Sequence, residues 1–235
     1  GDFSRPRTGD AELGIDLGID HAVAVSDGRT FDAPKPLAAA LRKLRRAQRT
    51  VARRAKGSNR RRLAVRRVGR IHVRVGQIRN DFIHKTTTTL LRESQAIGIE
   101  DLHVKGMLRN RRLSRALSDV GLGELRRQIE YKAPLHSTPV EVADRWYPSS
   151  QLCSDCGARQ KMPLSARIYV CACGSVLDRD CNAALNLVPQ ALREWARQGA
   201  VPTRGDTGEQ ATVRTVRLVL VDEPRNQPVL TREHI

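Results

Sequence analysis

Three carboxylates occupy positions where burial is unfavourable unless something offsets it. Asp16 lies inside the apolar run Leu13-Gly14-Ile15-Asp16-Leu17-Gly18, Glu100 closes the run Ala96-Ile97-Gly98-Ile99, and Asp180 opens a helical pattern late in the chain. A carboxylate within an apolar strand is costly to bury without a cation to hold it. A helix start, by contrast, tolerates an anion because of the macrodipole. Two carboxylates about 4 Å apart repel by roughly 4 kcal/mol at an effective dielectric near 20, so convergence of the three calls for divalent cations. Hard oxygen donors favour Mg²⁺ or Mn²⁺. Two such ions roughly 3.5–4 Å apart can activate a water and stabilise the leaving oxygen of a phosphodiester. Each acid also has a plainer reading: Asp16 a turn residue, Glu100 a surface acid, Asp180 a helix cap. Spacing along the chain does not by itself bring them together.

The cysteines suggest a second kind of chemistry. Cys153-Ser154-Asp155-Cys156-Gly157 is followed, thirteen residues later, by Cys171-Ala172-Cys173-Gly174. Two close pairs at this separation are a structural-zinc signal, with thiolates binding tetrahedrally and the glycines letting each knuckle turn. The second pair has one intervening residue instead of two, a narrower bite; reduced cysteines without metal are the alternative. Cys181 stands apart and reads as a buried thiol. An odd set of five crowded cysteines does not suit an extracellular disulfide framework.

The third feature is charge. The net charge is +17, and the window from Ala33 to Asn80 holds 17 Lys or Arg and no acid, leaving 25 basic against 25 acidic residues elsewhere. Concentration in one segment indicates a polyanion footprint rather than general solubility. The candidate phosphate contacts are Arg42, Arg46, Arg49, Arg53, Arg54, Lys56, Arg60, Arg61, Arg62, Arg66, Arg67, Arg70 and Arg74. Arginine suits the task because its planar fork binds phosphate through two hydrogen bonds. Such contacts position a nucleic acid without reading its bases. A solvated helix face is the bland alternative.

The elements that must position these groups follow from periodicity. Glu12 to Asp32 reads as a strand meander with a turn at Asp27-Gly28. Pro34 and Pro36 introduce a helix with Leu37, Leu41, Leu44, Val51 and Ala55 on one face. After the break at Gly57-Ser58-Asn59, a second series runs Ala64, Val68, Ile71, Val75, Ile78, Phe82. Together these predict a helical hairpin with arginines outside. Ala96 to Asp101 is a strand ending in acids, Met107 to Ser118 a polar mobile loop, Gly123 to Ala133 a helix, and Val140 to Ala143 the last strand. Asp180 to Gln198 reads as a helix with Ala184, Leu187, Ala191 and Trp195 on one face, which Pro189 kinks or ends early. The tail from Gly199 to Ile235 reads as mostly disordered, with Val216 to Val221 able to pair as a strand. Aromatics are only 3%, so the core must be aliphatic, and no apolar run approaches the roughly 20 residues that a membrane helix needs.

Taken together, the motifs resemble the TnpB/OrfB family of transposon-associated proteins, related to the type V CRISPR effector nucleases. The matching stretches are Gly14-Ile15-Asp16-Leu17-Gly18, Lys56-Gly57-Ser58-Asn59-Arg60, Asp81-Phe82-Ile83-His84-Lys85, Ile99 through Met107, Gly123 through Gln128, Asp144-Arg145-Trp146-Tyr147-Pro148-Ser149-Ser150, and Asp178-Arg179-Asp180-Cys181-Asn182-Ala183-Ala184-Leu185-Asn186. They span residues 12–198 in family order. The resemblance implies an α/β, RNase H-like (RuvC) fold: a five-stranded mixed sheet with an inserted basic helical hairpin and an inserted zinc ribbon. The expected division is a nuclease core over 12–148 with the hairpin at 34–95, a zinc ribbon at 149–177, a final helix at 178–198 and a tail at 199–235. It further implies an endonuclease with Asp16, Glu100 and Asp180 as catalytic acids holding two Mg²⁺ or Mn²⁺ ions, Asp178 being the lesser candidate. One structural Zn²⁺ would sit on Cys153, Cys156, Cys171 and Cys173. DNA and a guide RNA are the implied partners, in a prokaryotic cytoplasm at the nucleoid. Three departures stand out: the shortened second cysteine pair, Gln at position 151 where a basic residue is commoner, and a start almost at the first strand, without the family's N-terminal region. That last departure leaves a second expectation, a catalytically silent nucleic-acid-binding module.

Overall fold

The architecture follows from strand alternation. A computed structural model describes residues 8–163, 166–189, Arg193 and, for the backbone alone, 217–219. The elements run β1 (Ala11–Asp16), β2 (Val23–Val25), β3 (Thr30–Phe31), α1 (Pro36–Ala52), α2 (Asn59–Glu93), β4 (Ser94–Glu100), α3 (Val104–Met107), α4 (Ser114–Val120), α5 (Leu122–Lys132), a 3₁₀ turn (Ala133–His136), β5 (Val140–Ala143), β6 (Ile168–Val170), β7 (Val176–Asp178), α6 (Arg179–Asn186) and β8 (Arg217–Val219). A mixed sheet has the order β3-β2-β1-β4-β5-β8. β1, β4 and β5 are parallel neighbours, while β2, β3 and β8 add antiparallel edges.

Successive strand side chains point to opposite faces. Leu13 and Ile15 of β1 therefore share a face with Ile97 and Ile99 of β4, packed under Ile83, Leu90 and Leu91 of α2 and Leu125 and Ile129 of α5. The other face receives Gly14 and Asp16 from β1 and Gly98 and Glu100 from β4, and on it lies α6. At Gly14 a Cβ would stand 1.9 Å from the Ala184 carbonyl oxygen and 2.6 Å from the Val188 nitrogen. Only glycine lets the helix backbone rest on the strand there.

The two basic helices pack side by side, though Ala55, expected on the face of the first, lies beyond the end of α1 and is exposed. Leu44 and Ala47 of α1 pack against Ile71 of α2, and Ser58 caps α2 by accepting from Arg61 N at 3.2 Å. The start of α1 has no local cap; instead the buried Asp119 carboxylate accepts from Leu37 N and Ala38 N, both at 2.8 Å. Arg79 holds that carboxylate from the other side at 3.4 Å. α5 is pinned to α2 by Lys132, whose Nζ donates to His84 O, Thr87 Oγ1 and Thr88 Oγ1 at 2.8–3.1 Å.

Two expectations are corrected. The stretch from Met107 to Ser118 is not a loop throughout: it ends α3 and enters α4, because Leu117 and Val120 are fully buried against the main core. The main sheet also has six strands rather than the implied five, since β8 pairs with Val140–Ala143. Apart from β8, the expected tail lies outside the described residues, as do Ala191 and Trp195; the described helix α6 ends at Asn186, before Pro189.

Candidate functional site

The three acids come to one end of the sheet by separate routes. Ile15 pairs with Ile99 in the parallel ladder, so Asp16 and Glu100 follow side by side where the two strands end. α6, seated on Gly14, brings Asp180 in its first turn over the same point. The cap of α6 belongs to Asp178, whose carboxylate accepts from Asp180 N at 2.9 Å and Cys181 N at 3.1 Å. That leaves the Asp180 side chain free of capping, with Arg179 Nε at 3.5 Å. Burial pushes the Asp16 carboxyl up to about 8, helped by the negative fields of Glu100 and Asp180 and opposed by Arg179. Burial likewise raises Glu100, against the hydrogen bond it accepts from the Ser149 hydroxyl. Crowded, desolvated carboxylates of this kind suit a hard divalent cation, whose charge removes the repulsion.

The cysteines form the tightest cluster. Among the described residues, Cys153, Cys156, Cys171 and Cys173 are the one group of potential ligands whose donor atoms all lie within 4.8 Å of one another. Sγ of Cys153 is 3.7 Å from that of Cys173, and Sγ of Cys156 is 3.6 Å from that of Cys171. A tetrahedral ion with metal–sulfur bonds of about 2.3 Å sets its sulfurs about 3.8 Å apart, so these four could hold a metal such as zinc. The short second pair closes without difficulty: Gly174 N donates to Cys171 O at 3.0 Å, and Gly157 N to Cys153 O at 2.9 Å. Gly157 and Gly174 have positive φ, at 72° and 97° respectively. Burial raises the Cys153 thiol, but backbone N–H groups of Cys156 and Asp155 outweigh it and bring it down to about 7. Cys181 stands outside the cluster, half-buried.

The basic residues line the hairpin. Arg42, Arg46, Arg49, Arg53, Arg54, Lys56, Arg60, Arg62, Arg66, Arg67, Arg70 and Arg74 are exposed. Arg61 instead donates to Val51 O and Arg54 O at 2.9 and 3.2 Å, tying off the end of α1. A groove of about 690 Å³ between the helices is lined by Arg67, Arg70 and Arg74 together with Lys43, a cation that the sequence reading passed over.

Sequence reasoning also missed the groups that hold the acids in place. Ser149 bonds Glu100, and Asn182 and Asn186 bond the loop before the first cysteines. Their i, i+4 spacing on α6 was the available signal.

Comparison with known proteins bears on the family of the chain. Residues 2–111 match the OrfB_IS605 family model, described as "Probable transposase", and residues 123–187 match the model of the Cas12f1-like TNB domain. A "Putative RNA-guided DNA endonuclease" of Streptomyces pristinaespiralis is 46% identical over 217 residues, covering 92% of this chain and 52% of that protein. The "Putative RNA-guided DNA endonuclease InsQ" of Escherichia coli (strain K12) is 31% identical, covering 75% of this chain and 48% of that protein. The chain thus spans about half the length of these curated relatives. Among solved structures, a chain from the "Cryo-EM structure of the Cas12f1-sgRNA-target DNA complex" superposes with a TM-score of 0.52 at 16% identity, covering 75% of this chain and 49% of that one. Two family models met in chain order, and relatives aligned over most of its length, establish that the chain belongs to the OrfB/TnpB family.

Proposed function

We propose that this chain is the nuclease portion of an RNA-guided DNA endonuclease: a RuvC-like domain over 12–148 and 178–198 with a zinc ribbon inserted at 149–177. The observation that carries this reading is that β1, β4 and α6 bring Asp16, Glu100 and Asp180 to one sheet end, where burial first and the fields of the other two acids second raise the Asp16 carboxyl to about 8. Among the described residues the three acids do not form a group with ligand atoms as close together as those of the cysteines. Mg²⁺ or Mn²⁺ bound there would supply an activated water and stabilise the leaving oxygen of a phosphodiester. The chain's own part is to hold the three carboxylates: Asp16 by its strand, Glu100 by the Ser149 hydroxyl, and Asp180 by the capped helix. The hairpin arginines bind the backbone of DNA or of a guide RNA and leave base selection to pairing. Such work belongs in the cytoplasm of a prokaryotic cell. Among the described residues no helix is long and apolar enough to cross a membrane.

The test is DNA cleavage in Mn²⁺ by the chain and by Asp16→Ala, Glu100→Ala and Asp180→Ala. Loss of a metal ligand removes several kcal/mol of transition-state stabilisation, so each variant should cut at least about a hundredfold more slowly while binding DNA unchanged. Undiminished cutting by any of the three sinks the assignment. Salt-sensitive binding by the parent with no cutting at all favours the silent binding module.

A further inference from the structure

The cysteine cluster and the acid site are joined by a short run of buried hydrogen bonds. Asn182 is fully buried on α6, one turn's reach from Asp180. Its Nδ2 donates to Leu152 O at 2.7 Å, and its Oδ1 accepts from Ser154 N at 3.0 Å. Leu152 and Ser154 flank Cys153, so one amide grips the backbone on both sides of a cysteine. Asn186, the next residue on that helix face, donates from Nδ2 to Leu152 O at 2.9 Å and to Ser149 O at 2.8 Å. Ser149 in turn gives its hydroxyl to Glu100. Tyr147 donates to Asn186 O at 2.9 Å and closes the run beneath α6. Tyr147, Ser149, Asn182 and Asn186 are buried, so a bond broken at their side chains finds few replacement partners. A further link, Arg179 N to Arg167 O at 2.7 Å, ties the base of the β6–β7 hairpin to α6 without touching the first knuckle.

We propose that Asn182, Asn186 and Ser149 are positioning residues that couple the two metal sites. An ion on the four cysteines fixes the 149–154 backbone; that backbone sets the height of α6, hence of Asp180, and the direction of the Ser149 hydroxyl, hence of Glu100. The cysteine site thereby acts on the affinity of the acids, not only on the fold of its own loop. Because coupling between two binding sites is reciprocal, a divalent ion on the acids must also tighten the ion on the cysteines. The inference rests on the reading above, that both clusters hold metal.

The experiment uses Zn²⁺ and Mn²⁺ as probes. Zinc affinity of the unaltered chain is measured at equilibrium by competition with a zinc-selective chelator, with and without saturating Mn²⁺, and Mn²⁺ affinity is titrated by electron paramagnetic resonance. Zinc affinity should rise about tenfold when Mn²⁺ is bound, within the range typical of coupled sites. Asn182→Ala should keep its zinc, weaken Mn²⁺ binding about tenfold, as loss of a ligand-orienting partner does, and abolish the effect of Mn²⁺ on zinc affinity. A merely structural asparagine would not erase that cross-effect. Equal zinc affinities with and without Mn²⁺, in a chain that binds both ions, overturn the coupling and leave the nuclease reading intact. Mn²⁺ binding untouched by Asp16→Asn overturns the acid-site reading and the inference with it.

Discussion

Asp16 shows what a single residue contributes at this site and what it costs. Its neighbours Ile15 and Leu17 are core residues, and its carboxyl faces two others in a desolvated corner. In the metal-free chain at neutral pH that arrangement opposes folding. Asp16→Asn keeps the shape and removes the charge, so the metal-free variant should be more stable by about 1 kcal/mol or more, melting at least about 2–4 °C higher. Calorimetry in chelator measures this. Saturating Mn²⁺ should reverse the order, raising the melting point of the parent and not that of the variant. A variant that melts lower than the parent in chelator would mean that Asp16 has a favourable partner, and the crowding argument would fail. The apolar strand around Asp16 made its position legible in the sequence. The role of Ser149 was not, because one hydroxyl in a loop, bonded to a carboxylate 49 residues away, leaves no period behind.

The elements succeed or fail through backbone packing. α6 lies on β1 only because position 14 has no side chain. Gly14→Ala should lift the helix, cost about 1–3 kcal/mol as overpacking does, and weaken Mn²⁺ binding by displacing Asp180. On α2, Gly69 has open space where a Cβ would go, so Gly69→Ala should add about 0.5–1 kcal/mol through helix propensity. Thermal melts of the two variants should therefore move in opposite directions. Asp119 provides a third element-scale prediction. Asp119→Ala removes the cap on α1, worth about 0.5–2 kcal/mol, and leaves Arg79 only its bond to the Asp119 carbonyl. Limited proteolysis should then cut first within α1, and an unchanged cleavage pattern would refute the anchoring role. α1 and α2 could be read from their period of 3.6. α4 could not, because Leu117 and Val120 sit among arginines and serines that look like loop, and the buried Asp119 between them bonds the start of a helix distant in sequence.

At the scale of the molecule, charge and topology govern behaviour. The hairpin holds the excess of basic residues with no acid in its own sequence from 33 to 80, so affinity for nucleic acid should fall steeply with salt. Replacing Arg67, Arg70 and Arg74 with Gln should lower the slope of log affinity against log salt by about 2–3, the number of phosphate contacts removed. An unchanged slope in filter-binding titrations would place the contacts elsewhere. The charge segregation and the cysteine pairs were legible from the sequence. The pairing of β8 with β5 was only half so, since the apolar run at 216–221 offered a strand but no partner. The parallel pairing of β1 with β4 and the seat of α6 on Gly14 have a consequence for biosynthesis. A ribosome makes β1 first and α6 long afterwards, so a growing chain exposes Asp16, and then Glu100, against an empty strand face. The third acid and the helix that carries it arrive only when translation has passed Asn186. No copy that stops short of α6 holds all three acids, so on the proposed reading a growing chain carries its basic hairpin before it carries a complete cutting site.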